Sequence, residues 1–366
     1  HINGPYTITP LEREWTPGGG SNLFKVSVNN SQPFFLKAMN LEVLIESKLE
    51  MEKSYIQTPS IYNEFQFINT IRDKFGLENI PKIYFYDELD NYGFLAMEWL
   101  ESFDVVIPIL TTDELIEAYR TIEIFSLKLF NNNMVHIDLH EHNIRFRGKT
   151  PVIIDFGETR CFKQDVSYRE SLDFIGENQY GNVGKMPIAN VTDLGGFTCV
   201  SRLKQVFQKY MIEKLSKYYI ECNFDDTCPF NKDIFQRPDN RIYQSLTIGD
   251  QKFEGQRPLE DHRITLINRI CILLGRKYGF INYIDIGSNL GVFCFEISKL
   301  PVVKNVVGIE AFNKYVTFAN GLNFLRVNDK VSFFQLESGR DNVANINEIA
   351  KMKNVVISLL SVYHHI

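Results

Sequence analysis

The stretch that most restricts the fold lies in the first half of the chain: His136-Ile137-Asp138-Leu139-His140-Glu141-His142-Asn143, then Ile153-Ile154-Asp155-Phe156-Gly157. Two short apolar strands are expected here, and Asp155 closes the second of them. An aspartate, an asparagine five residues on and a further aspartate at a strand end form a set with chemical meaning. Phosphoryl transfer needs a carboxylate to orient an acceptor hydroxyl, and oxygen ligands to hold Mg²⁺ against the phosphates of ATP. On that reading Asp138 is catalytic, while Asn143 and Asp155 hold the metal. His136 supports the loop through hydrogen bonds, and His140 and His142 are either substrate contacts or plain loop residues.

These residues resemble the catalytic loop and the D-F-G motif of the protein-kinase-like superfamily. The H-x-D-L-H-x-x-N form is more similar to its small-molecule and atypical members than to ordinary protein kinases. The resemblance implies a bilobal α+β fold that binds ATP and Mg²⁺, and the upstream parts stand in the expected order. Residues 6–40 alternate apolar and polar positions around Gly18-Gly19-Gly20-Ser21-Asn22, as in strand, tight loop, strand, strand. Gly19 and Gly20 go with the nucleotide on the resemblance, although a glycine run also reads as an ordinary turn. Lys37, on the strand 34–38, would hold the α and β phosphates. Ile61, Phe65, Ile68, Ile71 and Phe75 recur at spacings of three and four, which predicts an amphipathic helix. Glu64 borders its apolar face, so it can point inward and pair with Lys37. Strands around 82–86 and 93–97 follow, and Glu98 to Leu100 would give the backbone hinge that meets adenine.

Further along, Thr111 with Glu114 forms a capping box that opens a helix to about residue 129. Residues 165–196 read as a long loop and 203–219 as a helix, while 222–240, with Asp225, Asp226, Pro229 and Pro238, read as a linker. Beyond it come a helix over 259–274, a strand, glycine turn and helix over 283–300, a strand over 305–310, a helix over 313–325, and strands over 331–334 and 355–360. This is β/α alternation of the parallel-sheet kind.

The second motif sits in that alternation. Asp285-Ile286-Gly287-Ser288-Asn289-Leu290-Gly291 follows a strand and opens a helix, and Glu310 ends the next strand 25 residues after Asp285. A dinucleotide site would place glycine where the pyrophosphate approaches. An aspartate there repels pyrophosphate but suits the cationic amino and sulfonium groups of S-adenosylmethionine. Gly287 and Gly291 permit the close turn, Glu310 can take both ribose hydroxyls, and Glu337 is a candidate for the adenine side. The pattern resembles class I methyltransferases, an α/β Rossmann-like fold. The acidic or Asn motif with Pro-Pro and an aromatic, which marks enzymes that methylate amino groups of bases, is absent. Instead the last strand runs into Ser361-Val362-Tyr363-His364-His365, a form more similar to small-molecule and carbohydrate-linked methyltransferases, and that resemblance implies an oxygen acceptor. His364 is a candidate general base, or it merely closes the strand.

Together the two parts resemble the bifunctional kinase/methyltransferases that terminate bacterial O-antigen polysaccharides. Ile242-Tyr243-Gln244, His262-Arg263-Ile264, the Asp285 loop and residues 360–365 occur in that family's order, which adds Tyr243 and Arg263 to the methyl-transfer site. The family carries its methyltransferase first, whereas this chain carries it second. The expected map is a phosphotransferase domain over 1–221, a linker over 222–240, and over 241–366 the N-terminal part of a methyltransferase, incomplete at the C-terminus. The resemblance implies a glycan acceptor. A small metabolite such as an antibiotic or nucleoside is the alternative acceptor, and a nucleotide-sensing scaffold without turnover the alternative class.

Bulk properties agree with this map. At 366 residues the chain exceeds the ~100–200 of one domain. A net charge of -6 gives no general reason to bind nucleic acid. No apolar run reaches the ~18 residues of a membrane span, so contact with a membrane would be peripheral. Six cysteines stand without a C-x-x-C pair, which predicts free thiols, no zinc site and a reducing, cytoplasmic setting.

Overall fold

The computed structural model describes residues 5–11, 21–28, 31–41, 61–76, 78–132, 134–136, 138–161, 196–222, 245–255, 257–258, 261–326, 328–336 and 351–359. By contacts the chain divides into two units, His1–Leu110 with Glu117–Phe207, and Thr111–Ile116 with Gln208–Ile366. No helix among the described residues is long and apolar enough to cross a membrane.

The first unit begins with a five-stranded antiparallel sheet. Its strands are β1 (Tyr6–Pro10), β2 (Ser21–Val28), β3 (Phe34–Asn40), β4 (Ile83–Leu89) and β5 (Tyr92–Glu98), in the order β1-β2-β3-β5-β4. The central strand β3 sets Lys37 opposite Leu23 on one side and Leu95 on the other. Helix α1 (Ile61–Phe75) crosses between β3 and β4 in the chain. Its apolar stripe is Ile61, Ile68 and Ile71, all fully buried, and Glu64 lies within that stripe rather than at its border. Each such isoleucine contributes about 1.5–3 kcal/mol on burial, enough to offset the cost of one buried carboxylate that finds a partner. Phe65 instead turns to Tyr86 and stacks on it with centroids 5.1 Å apart.

Helix α2 (Thr112–Asn131) starts with the expected reciprocal cap: Thr111 N donates to Glu114 Oε2 at 2.8 Å, and Glu114 N donates to Thr111 Oγ1 at 3.3 Å. Before this helix comes β6 (Glu101–Ser102) and after it β7 (Met134–His136), β8 (Ile144–Arg147), β9 (Thr150–Ile153) and β10 (Thr159–Cys161); β7 pairs with β10, and β6, β8 and β9 form a small sheet. Ile144, Phe146, Val152 and Ile153 bury one face of it.

Helix α3 (Gly196–Cys222) is longer than the expected 203–219. Its residues from 208 on belong to the second unit, which moves the boundary expected at 221 into the helix. The reason is packing: a Cβ on Gly321 would meet Leu215 Cδ2 at 2.9 Å and Met211 Sδ at 3.1 Å, a fit only glycine permits. Residues 223–240 of the expected linker, and most of the loop expected at 165–196, lie outside the described residues.

The second unit also contains a hairpin that the sequence reading passed over, β11 (Leu246–Ile248) and β12 (Gln251–Phe253), turning at Gly249-Asp250. Helix α4 (His262–Tyr278) starts three residues later than expected, because Asp261 caps it by accepting from Arg263 N at 2.9 Å. Four parallel strands follow: β13 (Ile281–Ile286), β14 (Val303–Glu310), β15 (Val331–Gln335) and β16 (Val355–Ser358). Helices α5 (Val292–Ser298) and α6 (Asn313–Arg326) connect the first three. The order β15-β14-β13-β16 means that two crossovers run one way from β13 and the next returns to its other side. Such a reversal leaves a crevice at the carboxyl ends of β13 and β16, with the end of β14 beside it. Asp285 and Glu310 stand there.

Candidate active sites

The first site gathers residues far apart in the chain. Lys37 Nζ donates to Glu64 Oε2 at 2.8 Å and to Asp155 Oδ1 at 2.7 Å, across 27 and 118 residues. Burial opposes the charge on Lys37, but Asp155 and Glu64 outweigh it and the pKa is raised. Burial raises Glu64 as well, with the charge of Asp155 adding to it against the opposing pull of Lys37. Two carboxylates therefore share one lysine, which leaves a surplus of negative charge that suits a cation. Asp155 itself sits at φ 60°, ψ 57°, the left-handed region that aspartate tolerates better than most residues. Strain of this kind persists where neighbours fix it, here Lys37 and the turn Phe156–Glu158.

The loop after β7 is fixed by its own hydrogen bonds. Asn143 Nδ2 donates to Asp138 O at 2.7 Å and to Asp138 Oδ2 at 3.0 Å, and Ile154 N donates to Asn143 O at 3.0 Å. With the amide nitrogen taken by Asp138, the amide oxygen of Asn143 is the end left for a cation. His140 Nε2 lies 3.5 Å from the same Oδ2, and its Nδ1 accepts from His142 N at 3.2 Å. The hydrogen bond to Asp138 raises the pKa of His140. Asp138 thus has one oxygen tethered, while its side chain is 48% exposed. Buried His136 has its pKa lowered by burial, so as a neutral ring it donates from Nε2 to Ile154 O at 2.9 Å.

At the other end of this region Glu98 N donates to Lys82 O at 2.9 Å, and the Glu98 carboxylate accepts from Lys82 N at 2.9 Å and Arg147 Nε at 3.1 Å. It also pairs with Arg147 Nη2. The Glu98 side chain therefore ties Lys82, just before β4, to Arg147 of β8, which leaves only backbone groups over 98–100 for the contact with adenine expected there. Half-buried Leu100 closes that stretch. Gly19 and Gly20 lie outside the described residues.

The second site is built mostly from local backbone. Gly287 and Gly291 take φ of 76° and 79°, which only glycine adopts without strain. A Cβ on Gly291 would also stand 2.4 Å from Phe333 Cζ, and one on Gly308 2.4 Å from Phe333 Cδ1, so the ring of β15 seals the turn. Glu310 accepts from Asn289 N at 2.8 Å, Ala311 N at 2.8 Å and Phe312 N at 3.2 Å. A carboxylate has about four acceptor positions, so Glu310 has room for about one further hydrogen bond rather than both hydroxyls of a ribose.

Asp285 is buried, and its partners come from elsewhere. Ser358 Oγ donates to Asp285 Oδ1, and Tyr283 Oη lies 2.7 Å from Ser358 Oγ. Since Ser358 gives its proton to the carboxylate, Tyr283 must donate to Ser358. Burial pushes Asp285 up to about 7, with Ser358 pulling down and the charge of Glu310 pushing further up. Arg263 lowers it in turn, acting from α4, where its guanidinium is clamped by Asp261 and rests 5.2 Å from the Phe293 ring. Tyr243, Glu337 and His364 lie outside the described residues.

Among the described residues the structure brings together Lys37, Glu64, Asp138, Asn143 and Asp155 in one place and Arg263, Asp285, Gly287, Gly291 and Glu310 in another. Sequence reasoning missed Ser358, Tyr283, Phe333 and Arg147. Ser358 became visible only through the parallel register that sets it opposite Asp285, 73 residues away. No known protein family matches the chain, and no curated protein matches it in sequence.

Proposed function

We propose that the chain is a bifunctional enzyme: an ATP-dependent phosphotransferase in its first unit and an S-adenosylmethionine-dependent O-methyltransferase in its second. The acceptor is a sugar hydroxyl of a glycan, and the methyl group goes to the new phosphate or a neighbouring oxygen. The observation that carries this reading is Lys37 held between Glu64 and Asp155, with Asp155 joined through Ile154 to the Asp138–Asn143 pair.

In the first unit Asp138 Oδ1 accepts the hydrogen bond of the acceptor hydroxyl and takes its proton as that oxygen bonds to the γ-phosphorus of ATP, while the bond from phosphorus to the bridging oxygen breaks and ADP leaves. Asn143 and His140 hold the other oxygen, Oδ2, so the reacting one is oriented. Lys37 donates to phosphate oxygens, and Glu64 keeps it in place. Asp155 and the amide oxygen of Asn143 fit Mg²⁺, which takes one or two carboxylates and completes its shell with phosphate and water. Mg²⁺, when bound, would neutralise charge on the phosphate oxygens. The surplus carboxylate beside Lys37 supports that fit.

In the second unit the buried carboxylate of Asp285 gains stability when a cation lies beside it, which fits the amino group of S-adenosylmethionine. Gly287 and Gly291 let the backbone approach the cofactor, and Glu310 offers one further acceptor position to the ribose. The cofactor would supply the methyl group. The glycan rests on the resemblance noted above. The cytoplasmic setting rests on the sequence, whose six cysteines lack a C-x-x-C pair.

Incubation with Mg-ATP and labelled S-adenosylmethionine against a glycan and metabolite library, read by mass, tests the whole. Phosphate and methyl on one glycan is the expected product. The two groups on unrelated acceptors would break the coupling, and binding of both cofactors without consumption would make the chain a scaffold.

A further inference from the structure

Helix α4 carries more apolar surface than its place in the fold uses. Ile264, Ile267, Cys271 and Gly275 are buried and hold it in place, and a surface helix needs no more than one such stripe. Leu266, Ile270 and Leu273 form a second, within an arc of about 60° at 3.6 residues per turn. They keep 59%, 40% and 65% of their surface exposed. One exposed leucine is ordinary, but three large aliphatic side chains on one face mark contact with something outside. The helix cannot rotate to hide them. Asp261 caps its start, and near its end Gly275 lies so close to Val302 that a Cβ there would stand at 2.5 Å.

Charge says what the contact is. The chain has a net charge of -6, yet α4 contains no Asp or Glu and carries Arg263, Arg269, Arg276 and Lys277. By helical spacing Lys277 continues the aliphatic arc, while Arg269 and Arg276 run along one side of it. These three are exposed, and among the described residues no carboxylate pairs with them. A two-fold pair of α4 helices would crowd the arginines of both copies on one side of an antiparallel seam, or set Lys277 against the partner's Lys277 in a parallel one. Like charges therefore oppose a second copy here. A nucleic acid would satisfy the cations but leave the aliphatic stripe in water. An anionic bilayer surface satisfies both, with lipid phosphates at the cations and the stripe at the boundary of headgroups and acyl chains.

We propose that the outward face of α4 docks the chain on an anionic phospholipid surface, with the helix axis in the plane of the headgroups. This inference depends on neither of the activities proposed above.

The test uses the whole chain and vesicles of phosphatidylcholine, alone or mixed in equal parts with phosphatidylglycerol, with bound protein read by co-sedimentation. The wild-type chain should bind the mixed vesicles at least about tenfold more tightly than the neutral ones, and lose affinity as salt rises. Arg269→Gln with Arg276→Gln and Lys277→Gln should weaken binding about a hundredfold, at roughly fivefold for each cation removed. Leu266→Gln with Ile270→Gln and Leu273→Gln should weaken it about tenfold or more. Both variants should melt near the wild-type temperature, since the changed side chains are exposed and glutamine suits a helix. Should the aliphatic triple fold poorly, Ile270→Gln alone, expected to lose about threefold, reads the same contact. Equal binding to neutral and mixed vesicles, no binding by the wild-type chain, or binding that survives both triple changes would overturn the proposal. So would a concentration-dependent dimer that the aliphatic changes dissolve, which gives the face to a second copy. A mixed-sequence oligonucleotide bound more tightly than the vesicles through the same three cations would overturn it too.

Discussion

The two sites hold buried carboxylates in opposite ways. In the first unit Glu64 and Asp155 converge on Lys37 from positions 27 and 118 residues away, and both links to the lysine are side-chain ion pairs. In the second, Glu310 is cradled by backbone N–H groups of Asn289, Ala311 and Phe312, within or next to the turns that end β13 and β14. A site closed by side-chain ion pairs depends on each member, because losing one strands the others in low dielectric. A backbone cradle survives side-chain changes but fails when the chain path is altered. Substitutions should therefore act sharply and chemically in the first unit, and through geometry in the second.

The largest effect is expected at Asp138. Asp138→Asn keeps the shape and the bond from Asn143 but removes the proton acceptor, so phosphate transfer should fall by about 10²–10⁴-fold while nucleotide affinity stays near wild type. Single-turnover transfer alongside equilibrium binding separates the two. A variant that transfers phosphate at the wild-type rate would end the catalytic assignment. Lys37→Met comes next. It leaves Glu64 and Asp155 facing each other without their shared cation, and should destabilise the first unit by about 3 kcal/mol, less to the extent that Glu64 takes up a proton. Denaturant melts at neutral and mildly acidic pH check this, since protonation of Glu64 should return part of the loss.

The same contrast explains what could be read in advance. Glu64 was legible because helical spacing places it with Ile61 and Ile68, and the structure puts it fully inside that stripe. The capping box at Thr111 and Glu114 was legible because both partners lie within one turn. Local spacing carries such information. The Glu98 clasp on Arg147 was not legible, since it depends on how β5 meets β8 across 49 residues. Nor was the role of Phe333, a core-type residue in a strand until the register sets its ring against Gly291 and Gly308. The boundary inside α3 was missed because a continuous amphipathic helix gives no sign of changing partners midway.

Gly291→Ala tests the geometric side. The new methyl group would enter at 2.4 Å from Phe333 and require alanine at φ 79°, which together should cost about 2–3 kcal/mol. The melting temperature of the second unit should drop, with S-adenosylmethionine binding falling in parallel. Gly291→Ala combined with Phe333→Leu relieves the clash but not the dihedral, so partial recovery is expected. Full recovery would show that backbone conformation at 291 is unimportant and would remove the cradle argument.

The smallest effect concerns the long-range link from Ser358 to Asp285 in the second site. Asp285 titrates near 7, and it attracts a cation only when ionised. Cofactor affinity should therefore be flat above about pH 7 and fall tenfold for each unit below it, whereas Asp285→Asn should bind weakly with no such slope. Ser358 donates to the carboxylate and so favours its charged form. Removing that donor in Ser358→Ala should move the break upward by about one pH unit, the worth of a hydrogen bond to a charged group. Isothermal titration of S-adenosylmethionine across pH 5.5 to 8.5, roughly the span in which the carboxylate changes charge, reads both numbers. Tyr283 then loses its acceptor, and Tyr283→Phe in the same background should restore stability without moving the break back. If that double variant instead returned the break to its wild-type position, Tyr283 rather than Ser358 would be setting the charge on Asp285, and the side-chain link would run through the tyrosine.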